Sequence, residues 1–149
     1  MMLDLISSLQ LAPHPEGGFY RQIYKAPGTG SRAALTIIYF LLPAGHVSRW
    51  HRVSSVEVWT HLYGGSLRLH SFNGAATSEH VVGAFAEGSS PLQVVPAGDW
   101  QAAEPLGAYA LVACFVAPGF EFADFTLMSD DADAATKLEQ INPDLLRLL

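Results

Sequence analysis

Cysteine is nearly absent from this chain of 149 residues, as are long apolar segments and any excess of basic charge. A lone cysteine, Cys114, excludes an internal disulfide framework and favours a reducing compartment. The longest apolar stretch, 33–43, is interrupted by Thr36 and is too short to cross a bilayer. The first ten residues contain no basic start and no long apolar core, so we expect no secretory signal and a cytoplasmic location.

The net charge of −6 argues against a nucleic-acid-binding protein, because such proteins need a basic surface. Basic side chains are nevertheless concentrated between residues 21 and 68, where Glu57 is the only acidic residue. They form either a solvated charged face, which is the default explanation, or a site for an anionic small ligand. The chain lacks a glycine-rich phosphate loop, an H-E-x-x-H helix, a G-x-S-x-G elbow and a paired C-x2-C.

Short β-strands separated by turn residues dominate the chain. Segments rich in branched and aromatic residues predict strands at 19–24, 35–42, 47–53, 56–63, 67–73, 77–82, 92–95, 109–116 and 121–127. Helical spacing is confined to the ends, at 3–10, 132–141 and 144–149. This pattern predicts an all-β sandwich or barrel with short terminal helices. We expect one domain over 1–149, with a barrel core at about 14–128 and a helical tail at 130–149.

The segment 45–64 carries the most informative spacing. Gly45, His51, Glu57 and Gly64 follow the pattern G-x5-H-x-H-x3-E-x6-G, except that Val53 replaces the second histidine. Strand alternation places Glu57 on a face that also holds aromatic residues, which is typical of a cavity lining. The short turn after His51 is expected to bring His51 near Glu57.

This spacing resembles the first signature of the cupin superfamily, whose two histidines and glutamate are metal ligands. The second cupin signature has a partial counterpart at 91–105, where Gln101 occupies the histidine position. Longer strings such as HPEGGFYRQIY at 14–24, WHRVSSVEVW at 50–59 and ALVACFVAPGFEFADF at 110–125 resemble a small cupin subfamily of unknown function (DUF985). The resemblance implies a double-stranded β-helix jelly roll, usually a homodimer, similar in shape to dTDP-sugar epimerases.

The residues at the expected ligand positions argue against a tightly held metal ion. Valine cannot ligate a metal, and a neutral amide oxygen binds first-row metals more weakly than an imidazole does. We therefore expect no cofactor, beyond a weak or adventitious divalent ion held by His51, Glu57 and Gln101 if one binds.

The favoured hypothesis is a metal-free acid–base site with His51 as the general base and Glu57 as its orienting partner. Its ligand would be a small polar metabolite, such as a sugar or a sugar nucleotide, undergoing epimerisation or isomerisation. The expected ligand-binding residues are Gln101, Tyr39, Trp59, Tyr63 and Trp100. A non-catalytic metabolite-sensing module and an atypical metal-dependent oxygenase are the alternatives, and a buried His–Glu pair that only joins two strands is equally open.

For two further groups of residues, the sequence gives less specific predictions. His14, Glu16 and Arg21 from the HPEGG string could hold the N-terminal strand or reach a neighbouring subunit. His70 and His80 carry no spacing argument and are predicted to lie at the surface. We expect no nucleic-acid or membrane partner, and a homodimer.

Overall fold

The computed structural model describes residues 2–149, without the side chains of residues 2 and 3. In chain order the elements are α1 (Met2–Ser8), β1 (Ala12–Pro13), β2 (Phe19–Ala26), β3 (Leu35–Pro43), β4 (Ser48–Arg52), β5 (Val56–Gly64), β6 (Leu67–Phe72), β7 (Thr77–Val82), β8 (Leu92–Val95), β9 (Trp100–Pro105), β10 (Tyr109–Ala117), β11 (Thr126–Leu127) and α2 (Ala132–Ile141). Short 3-10 helices occupy Phe122–Asp124, Met128–Asp130 and Pro143–Leu148. Within the described residues, no helix is both long and apolar enough to cross a membrane.

Two sheets with antiparallel pairing make up the fold. The first has the strand order β1–β2–β3–β10–β5–β8, and the second has the order β11–β4–β9–β6–β7. Consecutive strands often lie in different sheets, so the chain crosses repeatedly between the two layers. The architecture is the all-β jelly roll that the strand pattern and the resemblance predicted.

Strand alternation assigns each side chain to the interior or to an outer face. On β3, Phe40 and Leu42 join Trp59 in the interior cluster, whereas Leu41 packs among residues of the α1 region. On β4, Trp50 packs outward among residues of α2 and the C-terminal 3-10 helix. His51, next to it in sequence, consequently points into the sandwich.

Two of the sequence predictions require correction. The segment 121–127, predicted as a strand, contains a 3-10 helix followed by only the two-residue β11, because its phenylalanines contact one another instead of alternating between two faces. Strand β9 was missed because its alanines and glutamate carry little β propensity. It forms ladders with both β4 and β6, and these neighbours override the weak local signal.

The terminal helices lie close to their predicted positions. Helix α2 spans the predicted range, whereas the segment after it is a 3-10 helix. Helix α1 ends two residues early, and Gln10 adopts a left-handed conformation with φ of 54°. That conformation ends helical pairing and turns the chain into β1.

Candidate functional site

A cavity of about 170 Å³ lies next to His51, and both sheets contribute to its lining. Its polar lining residues are His14, Glu16, Tyr20, Gln22, Thr36, His51 and Glu57. Its apolar lining residues are Ile38, Val53, Val116, Phe120, Phe122 and Phe125. The structure therefore places two of the predicted site residues, His51 and Glu57, in one cavity, and adds an acid and an aromatic wall that the prediction lacked.

His51 is held between two oxygen acceptors. Its Nδ1 lies 2.6 Å from the carbonyl oxygen of Arg49, which can only accept, so Nδ1 carries a hydrogen. Its Nε2 lies 2.6 Å from Oε2 of Glu16, and both side chains are almost fully buried. Although burial disfavours the charged ring, the charge and hydrogen bond of Glu16 outweigh it and raise the pKa of His51. His51 is therefore an imidazolium paired with a carboxylate.

This pairing corrects the prediction that Glu57 orients His51. The partner is Glu16, which comes from the loop between β1 and β2 and lies 35 positions earlier in the chain. The charge of His51 and the hydrogen bond between the two groups keep the pKa of Glu16 below its ordinary value despite complete burial. With both ring nitrogens occupied, His51 is poorly suited to be the general base that the sequence predicted.

The loop that carries Glu16 is fixed against β4 by the backbone. The carbonyl oxygen of Glu16 accepts a hydrogen bond of 2.7 Å from the N–H of Arg49. Gly17 has φ of 111°, and a Cβ there would lie 2.0 Å from the carbonyl oxygen of Val47. Glycine is thus required for the close approach that delivers Glu16 to His51.

Glu57 is the buried carboxylate without a full charge partner. Its Oε1 accepts a hydrogen bond of 2.9 Å from Nε2 of Gln101, and the thiol of Cys114 is a further donor. Burial and the negative charge of Glu16 raise its pKa to about 7, and the charge of His51 offsets only part of this rise. With a pKa of about 7, Glu57 is suited to exchange a proton near neutral pH, and the pKa of the neighbouring His51 is also raised.

Gln101 supports Glu57 from behind the cavity. It is completely buried and is absent from the cavity lining. Its Oε1 accepts a hydrogen bond of 2.7 Å from Nε1 of Trp59, which orients the amide so that its NH₂ faces Glu57. The geometry shows Gln101 positioning a carboxylate, and its predicted role as a ligand hydrogen-bonder stays a prediction.

The predicted aromatic ligand contacts lie outside the cavity lining. Trp59 is completely buried in the interior cluster, and Trp100 packs among residues of the C-terminal helices with the guanidinium of Arg52 4.5 Å above its ring. Tyr39 packs among residues of the α1 region, and Tyr63 is half exposed beside Tyr109. Their proposed binding roles stay predictions, with no geometric support at this cavity.

The aromatic wall comes instead from the segment after β10. Phe125 stacks on the ring of His51 with centroids 5.5 Å apart, and Phe120, Phe122 and Phe125 contact one another edge to face. The run of phenylalanines in FEFADF was the available signal, but its assignment as a strand hid the wall. His14 contacts this wall and has a lowered pKa, chiefly because it is buried.

Among the described residues that line the cavity there is no arginine or lysine. The arginines of the 21–68 region pair elsewhere. Arg32 pairs with Asp124, Arg52 lies 3.9 Å from Asp131, and Arg68 lies 2.8 Å from Glu79. Arg21 and Arg49 donate to the backbone carbonyl oxygens of Leu9 and Pro15 instead, so the interpretation of the basic region as an anion site finds no support at this cavity.

The residues present do not fit the metal site of metal-binding cupins. His51 has both nitrogens engaged, Val53 lines the cavity without a donor atom, and the amide oxygen of Gln101 accepts from Trp59. Across the described residues, no group of three or more histidine, cysteine, aspartate or glutamate side chains is arranged to hold a metal ion. The expectation of a weakly held or absent metal stays a prediction.

Comparison with known proteins identifies relatives. The family model described as Cupin superfamily (DUF985) matches residues 3–128. A protein from Shewanella oneidensis is similar at 33% identity, with a TM-score of 0.86 over 97% of this chain and 94% of that one. A hypothetical protein from Leishmania major has 29% identity and a TM-score of 0.81 over 94% of this chain and 91% of that one.

More distant structures share the fold alone. Oxalate decarboxylase from Bacillus subtilis aligns with a TM-score of 0.65 at 17% identity, over 92% of this chain but 36% of the decarboxylase. No match was found among curated proteins.

Proposed function

Since the chain belongs to the cupin family described as Cupin superfamily (DUF985), we propose that it binds a small molecule in the His51–Glu57 cavity and that Glu57 exchanges a proton with it. The observation that carries this proposal is a carboxylate buried in a cavity without an arginine or lysine partner. Such a group has its pKa near the pH of the cell, which is what an efficient general acid or base needs.

His51 and Glu16 have a supporting role in this proposal. Their ion pair is internally neutralised, and both ring nitrogens of His51 are engaged. The pair fixes the ring of His51 at the cavity wall, while Glu57 accepts or donates the proton. Above pH 7 most Glu57 is ionised and acts as a base, whereas below pH 7 most of it is protonated and acts as an acid.

The reaction class that fits this arrangement is proton abstraction next to a carbonyl, as in isomerisation or epimerisation. The cavity volume of about 170 Å³ is below the range of drug-sized pockets, about 300–1,000 Å³. A compact substrate fits that volume better than a whole sugar nucleotide. Non-catalytic binding of the same molecule is the second candidate, favoured by the saturated hydrogen bonding of His51.

The test uses tag-free protein in deuterated water with a panel of small aldehydes, ketones and hydroxy ketones. We expect the protein to catalyse deuterium incorporation, measured by proton NMR, with a rate that rises with pH through about 7 because Glu57 must be ionised. The variant Glu57→Gln should abolish the exchange. The control Glu79→Gln, which changes a half-exposed carboxylate on β7, should leave it unchanged.

The alternatives predict different results. Ligand-induced thermal stabilisation without any exchange supports the binding module. Incorporation that survives Glu57→Gln contradicts the role of Glu57. Near-stoichiometric iron, manganese, nickel or zinc in tag-free protein, with activity lost on chelation, would replace the proposal by metal-dependent chemistry.

A further inference from the structure

The charges in the cavity are unbalanced. Glu16 and His51 neutralise each other as an ion pair, whereas Glu57 has neutral donors in Gln101 and Cys114. His14 adds no cation, because its Nδ1 accepts the backbone N–H of Glu16 and burial lowers its pKa. With Glu57 ionised, the lining therefore carries a net negative charge, and its described residues contain no arginine or lysine to balance it.

Aromatic side chains line the same cavity. Phe120, Phe122 and Phe125 line it together, with ring centroids 4.9–6.2 Å apart. Tyr20 also lines it, beside His14, with centroids 4.5 Å apart. The negative face of an aromatic ring attracts an organic cation, and several rings around one carboxylate are the usual environment of a bound ammonium group.

We propose that the ligand of this cavity is a compact organic cation, an amine or methylated ammonium whose positive charge is balanced by Glu57 and whose carbon atoms contact the phenylalanine wall. This inference rests on the proposed function in using the same cavity, and it names the class of molecule that the cavity selects. A cationic ligand would supply the positive charge that balances ionised Glu57. An anion would enter a cavity that is already negative and offers it no arginine or lysine.

The test compares three probes of similar size that differ in charge. Choline is the cation, 3,3-dimethyl-1-butanol is its neutral isostere, and 3,3-dimethylbutanoate is the anion. Binding is measured by amide NMR shifts at about pH 8.5, where Glu57 is ionised. We expect choline to bind about tenfold or more tightly than the neutral isostere, as a desolvated cation–π and charge contact allows, and the anion to bind weakest.

Two variants test whether Glu57 and the phenylalanine wall cause the preference for choline over its neutral isostere. Glu57→Gln keeps the shape of the side chain and should reduce the preference for choline over the neutral isostere to about twofold or less. Phe122→Leu keeps an apolar wall without the ring face and should weaken choline about fivefold while leaving the neutral isostere nearly unchanged. Glu79→Gln, outside the cavity, should change neither. Circular dichroism of each variant verifies that it is folded.

The inference is overturned if the anion binds more tightly than choline, if choline shows no preference, or if that preference survives Glu57→Gln. These outcomes are separate from failure of the proposed function. If Glu57 titrates near pH 7 and supports deuterium exchange but the protein shows no preference for choline, only the cation inference is contradicted. If choline selectivity depends on Glu57 but no proton exchange is detected, only the catalytic proposal is contradicted.

Discussion

The molecule contains two buried histidine–carboxylate clusters whose electrostatics are opposite. In the cavity, His51 pairs with Glu16, and its pKa is raised. On the second sheet, Nε2 of His70 lies 3.2 Å from Oε2 of Glu104, and the pKa of His70 is lowered, chiefly by burial. His70 is only 2% exposed, so the prediction that it lies at the surface was wrong.

The difference lies in what else contacts each carboxylate. Glu104 also accepts a hydrogen bond of 2.7 Å from Arg147 and one of 3.4 Å from Arg68, so its charge is already compensated. The positive charge of Arg147 further lowers the pKa of His70. The described lining of the cavity offers no arginine or lysine, and Glu16 must take its cation from His51. His70 therefore has a lowered pKa chiefly because it is buried, with a smaller contribution from Arg147, whereas the charge of Glu16 and its hydrogen bond raise the pKa of His51.

The largest effect is expected for Glu16→Gln, which removes the partner of a buried cation. Loss of one member of a buried ion pair costs about 3–5 kcal/mol. The lowered pKa of Glu16 makes its contribution fade as pH falls, and the raised pKa of His51 makes it fade as pH rises. The deficit, measured by urea unfolding, should thus be largest between the ordinary pKa values of the two groups, 4.5 for Glu16 and 6.5 for His51.

The matched change in the other cluster is Glu104→Gln. Glu104 itself and its two arginine partners are partly exposed, and we expect a loss of about 1 kcal/mol or less. Equal losses in the two variants would contradict the contrast between the clusters.

The next effect concerns the pH dependence of stability in Glu57→Gln. Because the folded-state pKa of about 7 lies above the ordinary 4.5, protonated Glu57 favours folding, and that advantage is lost as pH rises through 7. The variant lacks this loss. Relative to the wild type it should gain about 3 kcal/mol between pH 4 and pH 8.5, measured by denaturant unfolding. A difference that does not vary with pH would show that Glu57 titrates in its ordinary range.

A smaller loss is expected for Trp59→Phe, which removes the donor to Gln101. A buried acceptor left without its donor costs about 1–3 kcal/mol. The amide of Gln101 would also lose its fixed orientation, so the hydrogen bond that lowers the pKa of Glu57 weakens and this pKa rises. Thermal unfolding measures the first effect, and carboxyl NMR titration measures the second.

Trp50→Phe provides the control. It removes a hydrogen bond of 2.8 Å to the backbone carbonyl of Leu145, on the other side of the second sheet. We expect a similar loss of stability without a change in the pKa of Glu57. A change in that pKa would mean that loosening of the fold, and not Gln101, controls it.

The smallest effect is expected for Arg147→Ala. Arg147 is half exposed, and we expect its removal to cost about 0.5 kcal/mol or less. The pKa of His70, measured by NMR of its ring proton, should nevertheless rise, because a nearby positive charge is removed. Lys137→Ala, which breaks an exposed pair on α2, is the control and should leave His70 unchanged. An unchanged pKa of His70 in Arg147→Ala would contradict the role assigned to arginine.

The spacing across two consecutive strands, β4 and β5, was predictable from the sequence. The alternation of β5 and the short turn before it bring Glu57 into the same cavity as His51, as predicted. Contacts between distant segments were not readable. Glu16 reaches His51 only because the glycines of the HPEGG loop allow its backbone to approach β4. That string was noticed, but nothing local to it specifies which strand it meets.

The aromatic residues also show that local patterns were predictable from the sequence, whereas contacts between distant segments were not. Tryptophans next to the signatures suggested a ligand wall, but the interior of a jelly roll needs large apolar side chains, and Trp59 is one of them. The actual wall forms where Phe120–Phe125 folds back beside His51. Asp124, within this segment, pairs with Arg32, a residue far away in the chain.

The sequence by itself determined the all-β class, because alternation and short-range spacing are properties of one or two strands, and its resemblance to the cupin signature implied the jelly roll and the loss of a metal ligand at Val53. The tertiary structure decided the partner of His51, the protonation of Glu57 and the ligand wall. These depend on burial and on charges brought together from distant segments, and the free energy of a buried charge is set by everything within a few ångströms of it. A histidine and a glutamate in the sequence do not reveal their charge states, because burial and every neighbouring charge contribute to each pKa.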